Sequence, residues 1–327
     1  METYVAIDNV CAWPNLTMLP NGDIAAIIFN QPSHATVEGE VECWISSDEG
    51  VFWRKQGVPI SHTPGAIRMN HAAGLAGNGD LIVLCAGWTS AVAPRTIAEP
   101  AVCRSSDGGS TWTQSWAIEK PEGVTRFTPF GDIVRSGNGV LGASFYSSEG
   151  PRNYFLRSYD DGISWVEPVV IGRDQAGNAG QCVETALLCL GGQRVLAAVR
   201  TKDKRNLDLY VSDNFGETWE FKEMLTLGNQ HPAHMLLLQD GRILLTYGIR
   251  NQGYYGIGAR ISGNSGESWG HPIFLHNFQI ATDGGYPSSV QSADGTIITA
   301  YYSNKVPHHH RYHMGVIRWN MSEIEPK

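Results

Sequence analysis

Short apolar runs, each opened by a glycine turn, recur along the chain. They are Gly22 before Ile24-Ala-Ala-Ile-Ile-Phe29, Gly79 before Leu81-Ile-Val-Leu84, Gly139 before Val140-Leu-Gly-Ala-Ser-Phe145, Gly192 before Val195-Leu-Ala-Ala-Val199, Gly241 before Ile243-Leu-Leu-Thr-Tyr247, and Gly295 before Ile297-Ile-Thr-Ala-Tyr301. Runs this short, rich in aliphatic and β-branched side chains and bounded by turn residues, predict buried strands rather than helices.

A polar phrase runs in phase with them: Ser46-Ser-Asp48-Glu-Gly50-Val-Phe-Trp53, Ser105-Ser-Asp107-Gly-Gly109-Ser-Thr-Trp112 and Ser158-Tyr-Asp160-Asp-Gly162-Ile-Ser-Trp165. Two further copies carry Asn in place of Asp, Ser212-Asp-Asn214-Phe-Gly216-Glu-Thr-Trp219 and Ser262-Gly-Asn264-Ser-Gly266-Glu-Ser-Trp269. Ser and Asp or Asn oxygens can satisfy turn amides, Gly can take a positive φ, and Trp can pack between sheets, so the phrase reads as scaffold. Successive tryptophans lie 59, 53, 54 and 50 residues apart, a period that fits propeller blades and not helical solenoids.

Each unit then reads as four strands: an inner strand, the glycine turn, a buried second strand, a variable polar loop, a third strand, the Asp turn and a fourth strand at the tryptophan. The glycine phrase occurs six times, which predicts an all-β, six-bladed β-propeller spanning 1–327 as one domain. The sixth unit ends at Ile317-Arg-Trp319-Asn320 with no Asp turn, and Tyr4–Asp8 precedes the first unit unassigned. The N-terminal segment is therefore expected to supply the last blade's missing strand and close the ring.

Composition narrows the function classes. Across 327 residues, 32 Asp and Glu outweigh 24 Lys and Arg, so there is no basic excess to hold a phosphate backbone, and nucleic acid is not expected as a partner. No apolar run reaches the roughly 18 residues of a membrane span, and Met1–Asn9 lacks the basic start and apolar core of a secretory signal, which reads as a cytoplasmic protein. The six cysteines form no CxxC pair and read as reduced, packed thiols.

The Ser-x-Asp-x-Gly-x-Thr-Trp turn resembles the Asp box of the bacterial neuraminidase repeat, and over all six units the chain resembles the sialidase superfamily. Cys182-Val-Glu184 at the start of an inner strand, with Arg200 ending the next strand, is similar to the sialidase glutamate and an arginine of its carboxylate-binding triad. Gly285-Tyr286-Pro-Ser-Ser is similar to the segment bearing the nucleophilic tyrosine. The resemblance implies a retaining exo-glycosidase in which Glu184 activates Tyr286, because a phenol attacks an anomeric carbon that already carries a carboxylate better than an anionic Asp or Glu does. Arg250 holds the place of Arg200 one unit later and is a second candidate for a carboxylate clamp, since guanidinium binds carboxylate in a bidentate way. Each residue also has a plain structural reading: Glu184 as an ion-pair partner, Tyr286 as a core phenol, Arg250 as a rim cation.

Elsewhere the chain departs from the sialidase pattern. Ala12-Trp13-Pro14-Asn15-Leu16 stands where sialidases carry their first arginine, and the loop Asn30–Glu40 lacks the acid/base aspartate. His34 or Glu38 would have to transfer that proton. Arg68, His71 and Arg126, at the entrances to the second and third units, and Arg311 near the last loop are further candidates to bind substrate. The substrate expected is a small carbohydrate with a terminal acidic or otherwise unusual sugar. No cofactor is expected, although His231, His234, His308, His309, His310 and His313 leave open a divalent metal. Two alternatives stand beside hydrolysis: β-elimination from a uronate by Tyr and His, and carbohydrate binding without turnover.

Overall fold

The computed structural model describes residues 1–93, 95–147, 152–173 and 180–324. Among them the chain is strand and turn, apart from one 3-10 turn at Met321–Glu323. Strand β1 (Glu2–Asp8) precedes β2 (Cys11–Met18), β3 (Ile24–Phe29), β4 (Val41–Ser46) and β5 (Arg54–Gly57). The second unit is β6 (Ile67–Leu75), β7 (Leu81–Trp88), β8 (Ile97–Ser105) and β9 (Thr113–Ser115), and the third is β10 (Thr128–Arg135), β11 (Leu141–Ser147), β12 (Arg152–Ser158) and β13 (Val166–Val170). There follow β14 (Cys182–Cys189), β15 (Val195–Thr201), β16 (Leu207–Ser212) and β17 (Glu220–Met224), then β18 (Gln230–Leu237), β19 (Ile243–Ile249), β20 (Gly256–Ser262) and β21 (Ile273–Asn277). The last unit is β22 (Gly285–Gln291), β23 (Ile297–Ser303) and β24 (His313–Trp319).

Each unit is an antiparallel meander, and β1 pairs with β24, so the N-terminal strand completes the final sheet. The glycine turns between inner and second strands need the left-handed region: Gly22, Gly79, Gly139, Gly241 and Gly295 sit at φ of 84–93°, where a Cβ would be strained.

The sheets are not six separate ones. Four have four strands each, while β6–β9 and β10–β13 share one eight-stranded sheet through parallel pairing of Gly131 with Ala72 and Asp132 with Ala73. Glycine permits that approach: a Cβ on Gly74 would lie 2.8 Å from the Ile133 Cβ.

The inner strands β2, β6, β10, β14, β18 and β22 contact one another in cyclic order. Apolar clusters fill the wedges between successive units, including the wedge between the last and the first, where Ile298 and Val316 pack with Ile24 and Trp53. The result is an all-β, propeller-like ring, with its core between the sheets rather than on the axis. All six cysteines are free, and burial pushes the Cys43 and Cys85 thiols up to about 12. No helix among the described residues is long and apolar enough to cross a membrane.

Candidate active site

All six inner strands lose register with their neighbours, at Cys11/Asn15, Ile67/Asn70, Phe130/Val134, Cys182/Thr185, Gln230/Ala233 and Gly285/Ser288. Such irregularities re-aim side chains, and here they gather one end of the inner strands into a central mouth. Ala12 and Tyr286, within two of these breaks, take left-handed φ of 25° and 51°.

Tyr286, 7% exposed, donates its phenol hydrogen to Glu184 Oε1 at 2.7 Å. Arg200 Nη1 donates to Glu184 Oε2 and reaches the Tyr286 hydroxyl at 3.2 Å. Burial, then the charge of Glu184, push the Tyr286 phenol well above its ordinary value, outweighing Arg200 and Arg250. The phenol is therefore protonated, with its hydrogen held by the adjacent carboxylate. Arg200 holds its own proton more tightly than usual: burial opposes this, but the charge and hydrogen bond of Glu184 prevail.

Arg250 lies over the Tyr286 ring, 5.4 Å from its centroid, a cation–π arrangement. It donates to the His231 carbonyl and, at 2.7 Å, to the Gly284 carbonyl. His231 is kept neutral, its imidazole driven down to about 2 by burial and then by Arg200 and Arg250. On the other side, Trp13 stacks on Tyr286 with centroids 4.7 Å apart. An indole thus packs against the phenol in the segment where the family pattern has an arginine.

Sequence reasoning missed Asp283. Its carboxylate accepts hydrogen bonds from the Tyr302 and Tyr312 hydroxyls at 2.9 and 2.8 Å and pairs with His34 Nδ1 at 2.8 Å. Burial would raise its pKa, but the bonds from His34, Tyr312 and Tyr302 hold it down at about 2. His34 packs edge-on against Trp13, centroids 5.6 Å apart, and against Tyr302, which also touches Tyr286. The only sequence signal was the placement of Asp283 three residues ahead of Tyr286.

Other candidates lie elsewhere. Glu38 is exposed and its carboxylate accepts the Gly65 backbone N–H. Arg68 donates to the Glu99 carbonyl at 2.9 Å, because the register break turns its neighbour Met69 into the central cluster beside Trp13 and Tyr286. Arg126 lines a separate cleft with Glu99 and Lys120. Arg311, with a side chain 63% exposed, is ion-paired with Asp8. His71 is inaccessible at 1% exposure, and burial drives it down to about 4. It lines a cavity of about 20 Å³ beneath Trp13 and Tyr286, room for a single water. Asp132 and His234, paired at 2.8 Å, line the same cavity. Among the described residues no group of three or more His, Cys, Asp or Glu could hold a metal. Of the histidines that left a metal open, His309 packs edge-on against His313, centroids 4.7 Å apart, but His309 pairs with Asp8 and His313 meets the Ser303 hydroxyl.

Comparison with known proteins bears on the ring as a whole. A protein of unknown function from Dyadobacter fermentans superposes with a TM-score of 0.81 at 21% identity, covering 97% of both chains. The intramolecular trans-sialidase from Ruminococcus gnavus gives 0.74 at 14% identity, covering 99% of this chain and 98% of that one. For Trypanosoma rangeli sialidase the values are 0.70 and 16%, over 97% of this chain and 55% of that one. No curated protein sequence matches. The model of the BNR repeat-like domain matches residues 22–299. With the Asp turns, the ring of inner strands and this match in agreement, the chain belongs to the BNR repeat-like family and has the fold of the sialidase superfamily.

Proposed function

We propose that the protein is a retaining exo-glycosidase built on a six-bladed propeller, the eight-stranded sheet being two blades fused at Gly131, and that it acts on a terminal acidic or otherwise unusual sugar. The observation that carries this reading is the 2.7 Å hydrogen bond from Tyr286 to Glu184, bridged by Arg200. Tyr286 Oη attacks the anomeric carbon as its proton passes to Glu184, and Arg200 stabilises the charge that develops on both oxygens. The glycosidic C–O bond breaks and the leaving oxygen takes a proton from His34, which Asp283 orients through Nδ1. Water then attacks the anomeric carbon of the glycosyl-tyrosine, giving a proton to His34, while the Tyr286 Oη–carbon bond breaks and the released phenolate takes its proton back from Glu184. Arg200 and Arg250 supply the positive charge that favours an acidic sugar.

Turnover of aryl glycosides of sialic acid, related keto-acid sugars and uronides by the parent and by Tyr286→Phe tests the proposal. Release from one sugar, falling at least ~10³-fold in Tyr286→Phe with the fold intact, is the expected result. The near-complete burial of Tyr286 under Trp13 favours a second reading, carbohydrate binding without turnover. That reading takes over if the parent is silent across the panel yet binds one of these glycosides. A product absorbing near ~230 nm as a conjugated double bond would instead mark proton abstraction and elimination.

A further inference from the structure

Just outside the wall of the central mouth, a groove of about 560 Å³ opens on the β18–β21 sheet, closed on one side by Leu227 from the loop ahead of β18. This is within the size range of small-molecule sites. It starts one residue from the mouth in two places, since Gln230 adjoins His231 on β18 and Asn251 adjoins Arg250 just after β19. Its apolar walls carry Tyr254, Leu227 and Phe274, which are 67%, 65% and 43% exposed. Large apolar side chains held in water this way mark an interaction surface.

The rest of the lining defines the occupant. Its polar side chains include the amides Gln230, Asn251 and Gln252, and it contains no Asp, Glu, Lys, Arg or His. Two of these amides are fixed: Gln230 Oε1 accepts the Leu227 N–H at 3.1 Å, and Asn251 Nδ2 donates to the Gly228 carbonyl at 2.9 Å. Asn251 Oδ1 is buried at the wall without a donor, an acceptor that a hydroxyl could satisfy after a small turn of the amide. A charged ligand would find no counter-ion here, and a purely apolar one would strand the amides. A pyranose ring offers what the groove lacks, a C–H face for an aromatic ring and a hydroxyl edge for amides.

We infer that this groove is a second carbohydrate-binding site, separate from the Tyr286 mouth, which takes an uncharged pyranose unit of a glycan. It stands apart from the hydrolase reading, since it needs neither Tyr286 nor Glu184.

The test is ligand-observed saturation-transfer NMR on the full chain with lactose, cellobiose, maltose and N-acetyllactosamine. At least one of them should bind with a dissociation constant of about 1 mM, and bind equally to Tyr286→Phe. Tyr254→Ala and Phe274→Ala should each weaken binding about tenfold or more with unchanged melting temperature, and Tyr254→Trp should retain it. No binding of any of the four, or binding indifferent to both alanine variants, overturns the inference. Binding lost in Tyr286→Phe would do so too, by locating the sugar in the mouth. Because the readout is binding and not turnover, an inactive enzyme with a working groove sinks the hydrolase proposal alone.

Discussion

At the Asp turns, five copies repeat one set of bonds, whereas at the mouth each inner strand brings a different residue. In every turn the Ser hydroxyl donates to the Asp or Asn Oδ1 at 2.8–3.0 Å and accepts the Gly N–H at 2.7–2.9 Å. Both Asn copies keep this set and reverse one bond: Thr111 donates to Asp107, while Asn214 donates to Thr218. The turn glycines pack on the preceding unit, Gly162 on Ile82 and Gly216 on Phe155, and Gly50 on Ile298 across the closure. At the mouth β2, β6, β10, β14, β18 and β22 bring Trp13, Met69, Phe130, Glu184, His231 and Tyr286 in turn. Repetition there would serve nothing in the proposed mechanism, which needs one nucleophile, one base and one cation.

The comparison is broken most sharply at Glu184. Glu184→Gln keeps the size and removes the charge, so turnover should fall by ~10²–10⁴-fold while the far-UV circular dichroism is unchanged. A drop no larger than that of a distant turn variant would mean that the mouth is scaffold too.

His71 tests whether the floor of the mouth is structural. Its folded pKa of about 4 against 6.5 unfolded means that the unfolded state binds the extra proton first as pH falls. Stability should therefore decline from about pH 6.5 to about pH 4 and level off below, with His71 contributing up to about 3 kcal/mol at ~1.4 kcal/mol per unit. Urea unfolding at pH 7 and pH 4.5 reads this directly. His71→Gln should narrow the gap between the two, and an unchanged gap would show that His71 is protonated in the fold.

Asp283 shows what the sequence could and could not disclose. The Asp turns were legible because their bonds run two to four residues along the chain. Glu184 and Tyr286 were visible through a family pattern. Asp283 draws its role from His34, 249 residues away, and from Tyr302 and Tyr312. Such a constellation has no local signature. Arg68 misled for the opposite reason, because a one-residue register break decides which side chain faces the axis, and Gly74 and Gly131 fused two sheets through a contact that no strand pattern records.

Asp283→Asn sharpens the division within the mouth. The variant keeps an acceptor for the tyrosines but loses the charge that holds His34, so kcat should fall about 10²-fold through misplacement of the acid, with KM little changed. Asp283 ionises at about 2 in the fold against about 3.9 unfolded. Its stabilisation is complete above about pH 4 and lost as pH falls through 2, and Asp283→Asn should flatten that part of the acid-unfolding curve. A purely structural Asp283 would alter the unfolding curve and leave kcat in place.

The smallest effect belongs to the turn face. Ser158 is fully buried, donates to Asp160 at 2.9 Å and accepts the Gly162 N–H at 2.7 Å. Ser158→Ala leaves that N–H without an acceptor where water does not reach, a cost of about 1–3 kcal/mol in unfolding free energy. Gly162 is wedged against Ile82, so the turn cannot move outward to recover the bond. The loss should appear in the urea midpoint with the slope unchanged, and kcat should stay at the parent value, since the turn touches no mouth residue. Were Ser158→Ala to lower kcat while sparing the midpoint, the two ends of the ring would be coupled, and the reading of the repeated turn as scaffold would fail.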